Sequence, residues 1–374
     1  MNQQDQHVFD VIVVGAGPAG IGVGVALSDA EIENYIIVDR HEVGASLERW
    51  PAETRFITPS FATNSIGMLD LNSIAIGVSP AYSLETEHPT GSEYASHLRA
   101  VADYFELKVE TGIVVQRVGK VDDLFLLDTP EKTLRCKNVI WAAGEFQYPK
   151  LNSFPGAELC RHTSTIRSYH ELEGDDFLIV GGYESGIDAA FHLAQMGKAV
   201  RVIDHACPWE DESSDPSVSL STFSLERIRD ACFESQVELI PDTGVETVVR
   251  RSGEYEVSLD DQSKLTSRTQ PLLANGFAGS QTVISDLFEK REDGFPVLNE
   301  HDESTITPGL FLSGPMVRHD NHVFCFIYKY RQRFAVVAKQ VSQTLGLSGE
   351  GLEVYRKWGM YLDDLSCCGE ECVC

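Results

Sequence analysis

The sequence predicts an α/β fold with two similar strand–turn–helix–strand modules, and three observations predict it. The first is the stretch from Phe9 to Asp39. It reads as an apolar strand (Phe9–Val14), the turn Gly15-Ala16-Gly17-Pro18-Ala19-Gly20, a helix from about Ile21 to Ala30, and a strand (Tyr35–Val38) ending on Asp39. The second is the same order about 165 residues later. Strand Asp176–Val180 leads to the turn Gly181-Gly182-Tyr183-Glu184-Ser185-Gly186, a helix from about Ile187 to Met196, and strand Ala199–Ile203 ending on Asp204. The third is a pair of apolar strands that close on small residues, Asn138–Gly144 and Leu272–Gly276. The repetition is more specific than either copy, and its spacing is too wide for a solenoid. It predicts two Rossmann-like dinucleotide-binding domains with three-layer ββα architecture.

Each element of the first turn has a physical task. Gly15 permits the tight exit from the strand, Gly17 lets backbone approach a diphosphate, and Gly20 lets the helix pack against the sheet. The helix start at Pro18 and Ala19 offers free N–H groups and positive dipole to phosphate. Asp39, nineteen residues past Gly20, can accept from ribose hydroxyls, with Arg40 beside it. A bare glycine bend without ligand is the alternative, and this complete context argues against it. The second turn departs from the pattern, because Tyr183 stands where the close-approach glycine belongs. Either that site is less snug, or Gly182 takes the role in a shifted turn. Ser185 and Gly186 complete it. Asp204 is followed by His205, with no arginine between it and Arg227, which leans toward a 2′-hydroxyl and hence NADH over NADPH.

The chain of 374 residues is 43% hydrophobic, enough for two domains with full cores. Its net charge of −27, from 57 acids against 30 bases, argues against nucleic acid or an anionic membrane as partner. The first residues lack the basic and apolar regions of a secretory signal, and no run reaches the length of a membrane span. Nine cysteines are unevenly placed, four of them between Cys367 and Cys374, unlike a secreted disulfide framework. The expectation is a cytoplasmic protein.

Between the modules, Val43 to Phe61 alternates small and aromatic residues. It suits either a packed loop or a wall for a flat ring, with Trp50 or Phe61 as cover and Ser60 as polar contact. Ser92 to Phe105 predicts a helix capped by Ser92, and Lys108–Val115, Leu124–Asp128 and Thr133–Cys136 a small antiparallel layer. Leu225 to Phe233 reads as helix. After Thr307-Pro308-Gly309-Leu310-Phe311-Leu312-Ser313-Gly314, Asp320 or Asn321 is expected to cap a long helix through Leu345. His319, His322 and Cys325 surround that junction. A histidine there could move a proton as electrons pass, while any one of the three taken singly is more often a packed or capping residue.

These features resemble the two-dinucleotide-binding flavoproteins, a superfamily that includes thioredoxin reductases, bacillithiol disulfide reductases and flavin-containing monooxygenases. The resemblance runs from Val11 to about Leu345 and rests on the two glycine turns, the strand ends at Ala143-Gly144 and Asn275-Gly276, and the late strand ending at Gly314. The Gly181-Gly182-x-x-Ser185-Gly186 turn is most similar to the bacillithiol-reductase and thioredoxin-reductase-like branch. The resemblance implies FAD on Gly15, Gly17, Pro18, Ala19, Gly20, Asp39 and Arg40, with Trp50, Ala143, Gly144, Gly276 and Gly314 nearby. It implies NAD(P)H on Gly181, Gly182, Ser185, Gly186 and Asp204. It further implies a discontinuous FAD domain (residues 1–165 and 273–347) around an NAD(P) domain (166–272), a tail (348–374), and, as the family's habit, a homodimer. Two departures stand out: Pro315 replaces the acid that usually binds the ribityl chain, and no C-x-x-C pair is present.

The tail ends in Cys367, Cys368, Cys372 and Cys374. Three readings stay open: a redox shuttle from reduced flavin to an outside disulfide, a soft-metal site, or an idle tail. The neighbouring acids raise thiol pKa values, which slightly disfavours a fast nucleophile. The functional expectation is an FAD-dependent NAD(P)H oxidoreductase that passes electrons to a thiol or disulfide acceptor. The alternatives are a flavin-dependent monooxygenase and a thiol-rich metal-handling or redox-sensing flavoprotein.

Overall fold

The computed structural model describes residues 7–62, 69–211, 213 and 215–367. Strand β1 (Val8–Val14) buries four consecutive side chains from Val11 to Val14, as a strand covered on both faces must. It pairs in parallel with β2 (Tyr35–Val38), which pairs in parallel with the two-residue β3 (Val109–Glu110). Strands β4 (Arg117–Val121) and β5 (Leu124–Asp128) form an antiparallel ladder that ends on the first half of β6 (Thr133–Trp141). The other edge of β6 lies parallel to β1. The antiparallel layer therefore starts at Arg117, not at Lys108. Residues after Glu110 leave the sheet because the Ile113 N–H turns back to the Asp39 carbonyl at 2.8 Å.

Two helices cover this sheet. Pro18–Asp29 follows β1 and is buried from Ala19 to Leu27. Gly91–Tyr104 precedes β3 and is capped by Thr90, not Ser92. The Thr90 hydroxyl accepts from the Glu93 N–H at 3.3 Å, and the Glu93 carboxylate accepts from the Thr90 N–H at 2.7 Å, a reciprocal box that Ser92 cannot build.

The second sheet is wholly parallel, in the order Val237–Ile240, Ala199–Ile203, Asp176–Val180, Leu272–Leu273 and Arg161–His162. Its strands are β7 (Arg161–His162), β8 (Asp176–Val180), β9 (Ala199–Ile203), β10 (Val237–Ile240) and, after the layer described next, β14 (Leu272–Leu273). The antiparallel layer β11 (Val245–Arg251), β12 (Glu254–Leu259) and β13 (Lys264–Ser267) packs Val248, Val257 and Leu259 against Leu178 and Ile203. Helix Glu184–Gln195 packs Ile187, Ala190 and Leu193 against Phe177, Ile179 and Val202. Layer, sheet and helix make the expected ββα sandwich. The helix expected over Leu225–Phe233 is broken into Thr222–Ile228 and Ala231–Gln236, because Asp230 caps the second piece by accepting from the Cys232 N–H at 2.8 Å.

The chain then returns to the first sheet. β15 (Leu310–Leu312) pairs in parallel with Val139–Trp141, so β5 and β15 share one edge of β6 end to end. No long helix starts at Asp320 or Asn321. Arg318–Val323 is a hairpin, β16 (Arg318–His319) and β17 (His322–Val323), turned at Asp320 with φ +48°. Helical structure begins at Ile327 and continues as Phe334–Thr344. The hairpin is pinned by a buried cluster. Asp302 is fully buried and accepts from Arg333 at 2.9–3.2 Å, and His319 Nε2 lies 2.5 Å from the same carboxylate. Burial raises the Asp302 pKa, but Arg333 and His319 outweigh it and hold the carboxyl below its usual range.

Asp302→Ala leaves the Arg333 guanidinium buried without its counter-charge. The expected cost is about 3–5 kcal/mol, read as a lower midpoint of denaturant unfolding. A second prediction concerns pH. His97 is buried, Nδ1 lies 2.7 Å from Ser83 Oγ, and Nε2 has no partner. Burial pushes its pKa down to about 4, with Asp70 opposing. The unfolded chain therefore takes up a proton near pH 6.5 that the fold refuses until about pH 4, so stability falls as pH drops through that window. His97→Gln is expected to remove roughly 3 kcal/mol of that pH dependence, measured as the difference in unfolding free energy between pH 7 and pH 4.

Candidate active site

The two glycine turns match contact for contact. The Gly15 N–H donates to the Val38 carbonyl at 2.8 Å, and the Gly181 N–H to Ile203 at 2.9 Å. Both glycines have positive φ, +113° and +103°. A side chain on Gly15 would begin 2.4 Å from the Ala142 carbonyl oxygen, and one on Gly181 2.5 Å from that of Ala274, so neither position admits another residue. Gly20 and Gly186 approach the carbonyls of Gly15 and Gly181 in the same way. Each acid at the end of the following strand grips its turn. Asp39 accepts from the Ala16 and His41 N–H groups at 2.7 Å, and Asp204 from Gly182 at 2.6 Å and Ala206 at 2.7 Å. These carboxylates build the turn, a task the sequence reading did not assign them.

The match fails at one side chain. Gly17 and Tyr183 cap their helices with the same backbone, φ −86°, ψ −171° against φ −82°, ψ −167°. Nothing lies within 4 Å of where a Gly17 side chain would begin, so the first turn is open to a diphosphate and the residues fit FAD. At Tyr183 that direction is filled by the phenol. Gly182 does not take over the role of Gly17: it corresponds to Ala16, and a side chain there would begin 2.2 Å from the Trp209 ring.

Between the turns lies a cleft of about 360 Å³. Pro18 enters it from the first helix, and Glu184, Ser185 and Asp188 from the second. Trp50, Phe56, Phe146, Phe277, Phe326 and Tyr330 make an aromatic wall, and Pro315 and Cys325 close the C-terminal side. A smaller cavity of about 50 Å³ lies against Gly15, Asp39, Arg40, Ala143 and Tyr148. Arg40 donates to the Tyr148 hydroxyl there at 2.6 Å.

The polar groups of the cleft fall into three sets. Asp188 is buried and accepts from Arg227, from the Thr54 hydroxyl at 2.6 Å and from the Tyr169 hydroxyl at 3.2 Å. Burial raises its pKa, and His192, Arg227 and Thr54 outweigh that and hold it below the usual range. Burial raises the Glu145 carboxyl above its usual range, with Arg318 and Lys150 opposing. The Cys325 thiol lies 3.1 Å from Ser217 Oγ. Burial pushes it up, Ser217, Lys329 and Arg318 opposing, so it is protonated at neutral pH.

The structure brings together Pro18, Trp50, Ser185 and Cys325 in the cleft, and Gly15, Asp39, Arg40 and Ala143 in the smaller cavity. It does not bring in His319, which is committed to Asp302, nor His322, which stands on β17 outside the lining. Ser60 is buried against Asn72, and Phe61 is 42% exposed, so Trp50 alone of that loop's expected set lines the cleft. Cys368, Cys372 and Cys374 lie outside the described residues, and Cys367 ends a short turn (Leu365–Cys367). No group of three or more His, Cys, Asp or Glu side chains suited to a metal occurs among the described residues. Among those residues, no helix is long and apolar enough to cross a membrane. Sequence reading missed Glu145, Tyr169, Asp188 and Phe277. Glu145 and Phe277 had a signal, each standing directly after a strand end of small residues; Tyr169 and Asp188 are joined to the cleft by tertiary folding alone.

Comparison with known proteins fits this geometry. An uncharacterized oxidoreductase, CzcO, of Bacillus velezensis is 29% identical over 194 residues, which is 50% of this chain and 52% of that protein, so the match spans about half of each. Bacilliredoxin reductase Bdr of Bacillus subtilis is 24% identical over 340 residues, covering 89% of this chain and 97% of the relative. The solved bacillithiol disulfide reductase Bdr of Staphylococcus aureus superposes with a TM-score of 0.74 at 19% identity, over 91% of this chain and 99% of that one. A family model described as pyridine nucleotide-disulphide oxidoreductase matches residues 12–314. With two glycine turns of one geometry facing a shared cleft, the chain belongs to the pyridine nucleotide-disulphide oxidoreductase family.

Proposed function

We propose that this chain is an FAD-dependent oxidoreductase that takes electrons from NAD(P)H and delivers them to a small thiol- or disulfide-bearing acceptor in the cleft. The observation that carries the reading is the cleft itself, set between the helix starts of both modules and holding one thiol, Cys325, among the described residues. Residues 1–165 and 273–347 form the flavin-holding part and 166–272 the nicotinamide part. When bound, the flavin would supply the exchange between hydride and single-electron or thiol chemistry.

The protein's residues do the remaining work. Gly15, Gly17 and Gly20 present backbone and helix dipole to the diphosphate. Trp50, Phe56 and Tyr330 exclude water from the cleft, which strengthens every charge interaction inside. Glu145, its carboxyl pKa raised by burial, lines the cleft with them. Asp188, already satisfied by Arg227, Thr54 and Tyr169, positions the second helix start rather than titrating. In sum, one hydride and one proton convert one disulfide into two thiols. Asp204 with His205 beside it favours NADH. The Bdr relatives named above, reductases of bacilliredoxin and bacillithiol disulfide by name, support a disulfide acceptor.

A second reading, oxygenation of a small apolar substrate, is favoured by the aromatic wall of the cleft. One set of measurements separates them. Purified protein is titrated anaerobically with NADH and then NADPH, and turnover is followed with a disulfide and with dioxygen. Flavin reduction by NADH with matched disulfide loss is the expected outcome. Consumption of dioxygen with the disulfide untouched would move the assignment to oxygenation, and a colourless protein that takes up no FAD would end both.

Two variants sharpen the expectation. Gly17→Val places a side chain in the open approach and should weaken FAD binding by about tenfold or more, read by FAD titration of the folded apoprotein. Cys325→Ser should leave flavin reduction by NADH intact and lower disulfide turnover by about tenfold. Unchanged turnover would place the exit elsewhere, and a chain lacking residues 367–374 then tests the tail.

A further inference from the structure

We infer that Tyr183 controls which state of the second module admits a nicotinamide nucleotide: its phenol occupies the path of the dinucleotide's diphosphate and must leave before the nucleotide docks. This rests on the reading of the second module as the nicotinamide site and adds a residue that sets its affinity. The argument is the match of the two turns. Their first glycines, their acid clamps and their cap dihedrals agree, so the side-chain direction at Tyr183 is the direction left open at Gly17. In the first module that space is the approach to the helix start. In the second it is filled by a side chain whose hydroxyl donates toward the carbonyls of Pro216, at 2.5 Å, and Ser219, at 3.0 Å.

The segment that grips the phenol is itself anchored. Glu184 accepts from the Ser221 N–H and from the Ser224 hydroxyl, both at 2.6 Å. Lys329, in the segment that lines the cleft, donates to Asp215 at 2.7 Å and to Ser217 at 2.6 Å, and Ser217 also meets the Cys325 thiol. On the other side of the turn, the Trp209 ring stands against Gly182. A diphosphate reaching the helix start therefore meets a ring held by two carbonyls, in a segment tied to both the second helix and the cleft wall. Displacing it costs those hydrogen bonds, so the nucleotide binds more weakly than an open turn would allow.

The test is NADH binding to FAD-loaded protein by calorimetry, for the wild type, Tyr183→Gly and Tyr183→Phe, with thermal unfolding and flavin content checked for each. Tyr183→Gly is expected to lower the Kd for NADH by about tenfold, with FAD content unchanged. Tyr183→Phe keeps the ring but frees it from Pro216 and Ser219, and should give a smaller gain of about two- to threefold. It serves as the deciding variant if the glycine protein does not fold. Equal or weaker binding by the folded variants overturns the inference while leaving the nicotinamide reading in place. If neither wild type nor variant binds NADH or NADPH, the nicotinamide reading itself fails and the inference falls with it.

Discussion

The structure depends on how closely three pieces of backbone approach one another at each glycine turn. At Gly15 the exiting chain passes the carbonyl of Ala142 with no room for a side chain, and the helix then settles against the Gly15 carbonyl at Gly20. Asp39 locks the arrangement by accepting two N–H groups of the neighbouring loops. Without this approach β6 could not run beside β1, and the helix start would not face the cleft. The second module repeats the device with Gly181, Gly186, Ala274 and Asp204, which is why two stretches of different sequence arrive at the same geometry.

The electrostatics of the interior run against those of the surface. The chain is strongly acidic overall, yet several cations are turned inward around the cleft and the C-terminal segment. Arg227 meets Asp188, Lys329 meets Asp215, and Arg333 meets Asp302. Arg331 is directed at the carbonyls of Asp70 and Ser73. Burial of unpaired charge is costly, so each such cation fixes the position of whatever carries its partner. The cleft wall is thus tied down at Asp188 by Arg227 and beside Cys325 by Lys329, while Trp50, Phe56, Phe146, Phe277, Phe326 and Tyr330 line it with rings.

Much of this was legible in the sequence because local chemistry dictated it. The glycine turns, the acids at the strand ends, the ββα order and the strand closing at Gly314 all follow from backbone rules that act over fewer than about 40 residues. Boundaries were lost where a side chain made an unanticipated local bond, as with Thr90 and Glu93, or Asp230 and Cys232. The C-terminal junction was misread for a different reason. Its polar run looked like a helix cap, but His319 is drawn to a buried carboxylate that stands 17 residues earlier, and the hairpin follows. The cleft was least legible, since Thr54, Asp188 and Tyr169 share one hydrogen-bond set across separations of 134 and 19 residues. No periodicity announces such a meeting.

The shared edge of β6 has a consequence for how the molecule comes into being. During synthesis the first 141 residues can pair β1 with β2 and β6, but half of one β6 edge must wait until Leu310–Leu312 leaves the ribosome. The second sheet, contained between Arg161 and Leu273, is finished before then. The module that begins the chain is therefore the last to close. Its exposed strand edge is the vulnerable surface of the nascent protein, open to wrong partners throughout the interval.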